Sequence, residues 1–213
     1  MEDPVEFVLE GINQGQINVK AGFDYGDGMR AILRQDPDIV MIGEMRDLPT
    51  AEMGIKAALT GHMVYSTLHT NDTASAFTRL DDMGVEPFLI ASTVRGVLAQ
   101  RLIRRICPKC KERIQPEPKV LEDLHLKPDT PVYKGKGCRA CNNTGYKGRT
   151  GIFELLAPDA TVRKMVLERR PSDQIKEYCV QRGNFDTLRK DGLRKVAEGI
   201  TTIEQVLGAS NVD

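Results

Sequence analysis

Four of the five cysteines stand in two short pairs, Cys107-Pro-Lys-Cys110 and Cys138-Arg-Ala-Cys141, with 27 residues between the pairs. Each pair fits on one tight turn, and two such turns can close a tetrahedron of thiolates around a zinc ion. Four sulfur ligands leave no open position for water, so such a site would be structural rather than catalytic. The alternatives are unligated thiols or a redox pair, although a redox CxxC normally occurs singly beside a βαβ unit. The fifth cysteine, Cys179, lies on an apolar helical face and reads as a buried core thiol.

A second chemistry rests on carboxylates. The run Asp38-Ile-Val-Met-Ile-Gly43 leads directly into Glu44. An acid at the carboxyl end of a buried strand lies where open α/β sheets bind ligands, and it can hold Mg²⁺ or orient an attacking water. The plainer reading is a strand leaving the core. His69 follows 25 residues later at the end of another apolar stretch. If the two strands are neighbours, its imidazole faces the same crevice and can donate a hydrogen bond to a phosphate oxygen. Capping of the next turn is the alternative. Glu2, Asp3 and Glu6 add carboxylates, or form only a solvated acidic start. Arg30 and Arg34, four apart, project from one side of an expected helix through Met29, Ile32 and Leu33. Alternatively they pair on the surface with Asp27, Asp36 or Asp38. His62 and His125 are given no role.

The elements that must position these groups read as α/β over the first hundred residues. A strand is expected at 38–43, then a helix opened by Pro49 with Thr50 as its N-cap and stopped at Gly61. A second strand is expected at 63–68. Asn71-Asp72-Thr73 forms a turn and cap, and a helix runs through Ala76, Phe77 and Leu80 to Gly84. Another helix is expected from Pro87 through Leu98 to about Ile103. Such alternation predicts a parallel sheet. Helical periodicity returns from about Thr161, with Val162, Met165 and Val166 on one face. Ser172 is expected to cap a helix carrying Ile175, Tyr178 and Cys179. Leu188, Leu193 and Val196 mark a third helix of this region, and Ile203, Val206 and Leu207 a short fourth.

The 213 residues are 40% hydrophobic and carry 30 basic and 30 acidic side chains. This zero balance hides an asymmetry. Residues 1–100 have 7 basic and 15 acidic residues, residues 101–150 have 13 and 5, and residues 151–213 have 10 and 10. Three regions are therefore expected, at 1–103, 104–150 and 151–213. Collagen-like, mucin-like and wholly disordered classes are excluded. No apolar run approaches the roughly 20 residues of a spanning helix, and the acidic start lacks a signal-peptide pattern. A cytosolic, reducing compartment is expected. The basic middle region raises nucleic-acid binding, but only Tyr133 and Tyr146 are available there for stacking on bases. An acidic neighbouring subunit is the other partner such a surface fits.

Five stretches together resemble the secretion ATPases of type II secretion and type IV pilus assembly. EDPVEF is similar to that family's Asp box, LRQDPDIVMIGEMRD to its Walker B segment and GHMVYSTLHTND to its His box. AQRLIRRICPKC with the second CxxC resembles its tetracysteine module, and GRTGIFELL the start of its C-terminal extension. The resemblance implies an α/β, RecA-like parallel-sheet core with a small zinc module and a helical extension. It implies a homo-hexamer that turns ATP hydrolysis into motion and drives pilin or pseudopilin assembly through an inner-membrane platform protein. The motor would be cytoplasmic and attached to the inner membrane only through partners, with no nucleic acid expected.

By the same resemblance, Glu44 would be the Walker B carboxylate acting on Mg²⁺ and water. Glu2, Asp3 and Glu6 would be the Asp-box acids, Glu2 polarising the attacking water, and His69 would read the γ-phosphate. Arg30, Arg34 and Arg46 would support the active-site strands and transmit nucleotide state. Cys107, Cys110, Cys138 and Cys141 would hold structural Zn²⁺ and mark an assembly rather than a retraction ATPase. The family's P-loop pattern GxxxxGK[ST] is absent from this sequence, whose Gly135-Lys136 is followed by Gly137. The chain is therefore expected to be the C-terminal part of the motor, inactive alone, with Met1 a cloning start or a truncated frame. A non-catalytic zinc-containing interaction module, or one that binds nucleic acid, is the competing reading.

Overall fold

The computed structural model describes residues 1–210; residues 211–213 of the expected helical extension lie outside the described residues. In chain order the elements are α1 (Tyr25–Leu33), β1 (Ile39–Ile42), α2 (Leu48–Leu59), β2 (Met63–Ser66), α3 (Ser75–Asp82), α4 (Pro87–Thr93) and β3 (Val97–Ile106). There follow β4 (Lys111–Ile114), α5 (Pro118–Asp123), β5 (Val132–Gly135), β6 (Tyr146–Leu156), α6 (Ala160–Leu167), α7 (Ser172–Gln181), α8 (Leu188–Ala197) and α9 (Ile203–Ser210). Among the described residues, no helix is long and apolar enough to cross a membrane.

The chain divides into two compact units, each discontinuous in sequence. The first comprises residues 1–70, 74–97 and 157–176; the second comprises 71–73, 98–156 and the chain from 177 onward. In the first unit β1 and β2 pair in parallel, from Ile39 opposite Met63 to Ile42 opposite Ser66. Alternation sets the faces of β1: Val40 and Ile42 are buried, whereas Ile39 and Met41 are exposed. The buried pair joins Met1, Ile17, Met29 and Ala57 in a core beneath the strands. The chain start is pinned into this layer. The Met1 amino group donates to Met41 O at 2.7 Å, and Gly43 N–H donates to Met1 O at 2.7 Å. That staggered pair of bonds is the pattern of a parallel ladder.

The N-cap of α2 is Asp47, not Thr50. Its carboxylate accepts from Thr50 N at 2.9 Å, and Pro49 occupies the first turn, where an N–H is not needed. The N-terminus of α1 is capped likewise, Asp24 accepting from Asp27 N at 2.8 Å.

The helix expected from Pro87 to Ile103 stops at Thr93. Val94 adopts an extended conformation, Gly96 follows, and Val97–Ile106 is strand β3, hydrogen-bonded to β6. The run Leu98-Ala-Gln-Arg-Leu102 is made of good helix formers, so here pairing overrides local propensity. The second unit also contains the antiparallel pair β4–β5, running from Lys111 opposite Gly135 to Ile114 opposite Val132. Its core gathers Ile103, Ile152, Leu188, Val196 and Val206 with Leu121, Leu124 and Val132.

Candidate active site and metal centre

The ends of β1 and β2 bring two of the candidate catalytic residues together. Main-chain and side-chain bonds extend the ladder past β1, with Met45 N–H donating to Thr67 O at 3.0 Å and Thr67 Oγ1 to Gly43 O at 2.6 Å. These bonds hold the two strand exits side by side. Glu44 Oε2 and His69 Nε2 are 3.2 Å apart, and Arg46 forms an ion pair with Glu44 Oε1. The Glu44 side chain is 13% exposed, whereas those of Arg46 and His69 are 68% and 83% exposed. The Arg46 guanidinium holds the Glu44 carboxyl below its usual value; partial burial opposes the shift and His69 adds to it. Glu44 is thus ionised at neutral pH, beside an imidazole with room for a ligand.

Of the other expected residues, Asp3 is exposed and its charge acts on Arg46. The Glu2 backbone passes beside Gly43, and its N–H donates to Gly15 O at 3.1 Å. Its carboxylate accepts from Gln14 Nε2 at 2.9 Å. Arg30 pairs with Asp27 at 2.5 Å, the surface alternative raised by the sequence. Glu6 and Arg34 are exposed. Among the described residues, no hydrogen bond or ion pair joins Glu6, Arg30 or Arg34 to Glu44.

Sequence reasoning missed Tyr25, the first residue of α1. Among the described residues its buried hydroxyl has no hydrogen-bond partner. Burial raises its pKa, and the charges of Glu44 and Asp3 add to the shift. The phenol therefore stays protonated, an unused donor next to the acids.

In the second unit the four paired cysteines converge, with all four sulfurs within 4.8 Å of one another. The Sγ–Sγ distances are 3.9 Å for Cys107–Cys138, 3.8 Å for Cys110–Cys141 and 3.7 Å for Cys138–Cys141. A zinc ion with bonds of about 2.3 Å requires tetrahedral edges of about 3.8 Å. The donor set and its spacing therefore fit zinc. Burial pushes the Cys110 thiol up, to about 12. Burial also acts upward on Cys141, but backbone N–H groups of Cys138 and Gly145, at 3.2 and 3.3 Å from its sulfur, outweigh it. That thiol falls to about 6.

The turns carrying the cysteines are drawn together by backbone. Cys107 N–H donates to Gly145 O at 2.9 Å, and Lys136 N–H to Cys110 O at 3.0 Å. Gly135 and Gly145 pass so closely that a Cβ on Gly135 would lie 2.1 Å from Gly145 O. A Cβ on Gly145, whose φ is +79°, would lie 2.5 Å from Gly135 O. Only glycine fits either position.

Two buried carboxylates of this unit also escaped sequence reasoning. Glu154 on β6 is 1% exposed, and Asp191 on α8 is 3% exposed. Asp191 pairs with Arg194 and Lys195 and accepts from Phe153 N at 2.9 Å. Glu154 accepts from Thr73 and from Leu188 N.

Comparison with known proteins follows the same lines. The chain is 51% identical to the type IV pilus assembly ATPase PilB of Thermus thermophilus over 211 residues, 97% of this chain and 24% of that protein. It is 47% identical to the type II secretion system protein E of Pseudomonas aeruginosa over 209 residues, 97% of this chain and 41% of that protein. It thus spans well under half the length of these relatives. Among solved structures, the pilus retraction motor PilT with bound ADP superposes with a TM-score of 0.68 at 26% identity, over 98% of this chain and 51% of PilT. The Legionella pneumophila ATPase DotB, at 22% identity and a TM-score of 0.65, shares the fold over 99% of this chain and 50% of DotB. The α/β, RecA-like fold expected from the sequence is the fold of these ATPases. A family model described as type II/IV secretion system protein matches residues 1–208, and the chain belongs to that family.

Proposed function

We propose that this chain carries the water-activating side of a motor ATPase for type IV pilus assembly or type II secretion. The observation that carries the reading is the Glu44–His69 contact at the exits of two neighbouring parallel strands, with Arg46 keeping the acid ionised. Mg-ATP supplies the phosphoryl group and the metal charge that makes it transferable. Glu44 is the carboxylate that acts on the metal and orients a water, and His69 donates to a phosphate oxygen. Glu2, Asp3 and Glu6 complete the acidic rim, Glu2 turning from Gln14 to polarise the water. Arg30, Arg34 and Arg46 report nucleotide state to the strands. Zinc on Cys107, Cys110, Cys138 and Cys141 acts structurally, by tying two turns of the second unit. In a cell the motor is a cytoplasmic homo-hexamer that pushes on an inner-membrane platform protein and assembles pilin or pseudopilin fibres.

The test is phosphate release with Mg-ATP. The chain alone should give none, because phosphoryl transfer depends on positioning and no P-loop pattern is present to cradle the phosphates. The same chain joined to the rest of its Thermus thermophilus relative, the part this chain does not match, should turn ATP over. Turnover by the chain alone that disappears in Glu44→Gln would overturn the requirement for a P-loop. A joined protein that binds ATP and does not hydrolyse it would overturn the catalytic reading.

A further inference from the structure

The chain crosses from the first unit to the second between Thr70 and Asn71, one residue after His69, and crosses back after Thr73. Asn71 and Thr73, the outer two of those three residues, are held by side chains from the two paired strands of the second unit. From β3, Arg101 Nη2 donates to Asn71 O at 3.0 Å and reaches Asn71 Oδ1 at 3.4 Å. From β6, Glu154 Oε1 accepts both donors of Thr73, the N–H at 3.0 Å and the hydroxyl at 2.6 Å. Thr73 is fully buried. The other oxygen of Glu154 accepts from Leu188 N at 3.3 Å. Leu188 opens α8, so its N–H is one that the helix itself leaves free. A single buried carboxylate thus joins the start of a C-terminal helix to the segment that follows His69.

A carboxylate is a costly way to fill that position for packing alone. Among the described residues no cation pairs with Glu154, and burial of an unpaired charge is unfavourable. An amide would be cheaper to bury. What the carboxylate adds is acceptance at both oxygens at once, with no donor of its own to misplace. The contacts also lie at the one short segment where the second unit is continuous with the His69 strand exit.

We infer that Glu154 and Arg101 form a clamp on residues 71–73 that positions His69. The inference rests on reading Glu44 and His69 as the ATP-hydrolysing pair. The clamp residues are positioning residues, because they act on His69 through the backbone of residues 70–73. Displacement of α8 pulls on Glu154 and, through Thr73, on the exit of the His69 strand. The clamp therefore sets how well His69 meets the phosphate.

The experiment uses the joined protein described above and measures kcat and KM for ATP in Glu154→Gln, Thr73→Ser, Arg101→Gln, His69→Ala and the double variant His69→Ala/Glu154→Gln. Glu154→Gln places an amide donor against a backbone donor. It should lower kcat by about tenfold, within what a small misplacement of a catalytic group costs, and leave KM nearly unchanged. Thr73→Ser keeps both donors and should retain wild-type kcat. Arg101→Gln breaks the other arm without burying an unpaired group, and serves if Glu154→Gln does not fold. The decisive readout is the double variant. A clamp that acts through His69 adds nothing once His69 is gone, so the double variant should match His69→Ala. Independent losses that multiply would mark a merely structural role and overturn the clamp, as would unchanged kcat in both Glu154→Gln and Arg101→Gln. Unchanged kcat in His69→Ala would instead overturn the catalytic reading itself.

Discussion

The tetracysteine cluster and the Glu44 crevice are both built where two chain segments meet, yet they are finished to different degrees. The four sulfurs lie within 4.8 Å of each other, and backbone N–H groups already favour thiolate at Cys141. At the crevice the acid is mostly covered, while His69 and Arg46 reach into open space. A site that only has to hold an ion can be completed by two short turns of chain. A site that must turn over needs its charge prepared and its ligand positions left open. On the proposed function, the contrast assigns stability to the first and turnover to the second, and mutations should separate the two.

Removal of metal should have the largest effect. Purified without chelator, the protein should contain one zinc per chain by elemental analysis. Chelation or Cys110→Ser should then release residues 107–145 to rapid hydrogen exchange, because apparent zinc binding in small domains is worth on the order of 10 kcal/mol. Protein lacking stoichiometric metal, yet protected throughout this segment, would break the comparison.

Next in size is Glu44→Gln in the joined protein. Steady-state turnover should fall by about 10²- to 10⁴-fold, the range for loss of a positioned acid or base, with ATP binding retained. Stability of the second unit should not change. Near wild-type turnover would remove Glu44 from the chemistry.

Asp191 offers a purely structural contrast within the second unit. Asp191→Asn should cost about 3 kcal/mol in chemical denaturation, because it leaves Lys195 without its buried partner. Burial alone would raise the Asp191 pKa, but Lys195, the Phe153 N–H and Arg194 outweigh it and hold it below its usual value. A depressed carboxylate stabilises the fold above its unfolded pKa of about 3.9. That contribution is lost as pH falls through the lower folded value. The wild type should therefore lose more stability than Asp191→Asn on acidification below about pH 4.

The smallest expected effect belongs to His69→Ala. Turnover should drop about tenfold, the worth of one hydrogen bond to a charged group. Thermal stability should hold, since the side chain is largely exposed.

Much of this was legible in the sequence, for identifiable reasons. The apolar run into Glu44 and its counterpart into His69 announced two strands, and their parallel pairing follows from the helix between them. The CxxC spacing announced the cluster. Thr50 reads as a cap because cap residues also occur in first turns; the acid three residues earlier is the better signal. Residues 97–106 misled because Leu, Ala, Gln and Arg favour helix, and only the partner strand β6 decides otherwise. Glu154 had a readable signal, since it shares inward parity with Ile152 and Leu156 on β6. Asp191 had none, standing in a run of charges that looks solvated. The division expected at 103 and 150 follows charge; the compact units follow packing and exchange short segments that no composition profile detects.

The close passage of Gly135 and Gly145 has an evolutionary consequence. Each is already the smallest residue, and each occupies the space the other's first side-chain carbon would need. A substitution at one position cannot be offset by shrinking the other, so neither can drift by the usual route of paired compensation. Descendants that keep the four cysteines should keep both glycines, and lineages that lose the metal should be free to lose all six residues together.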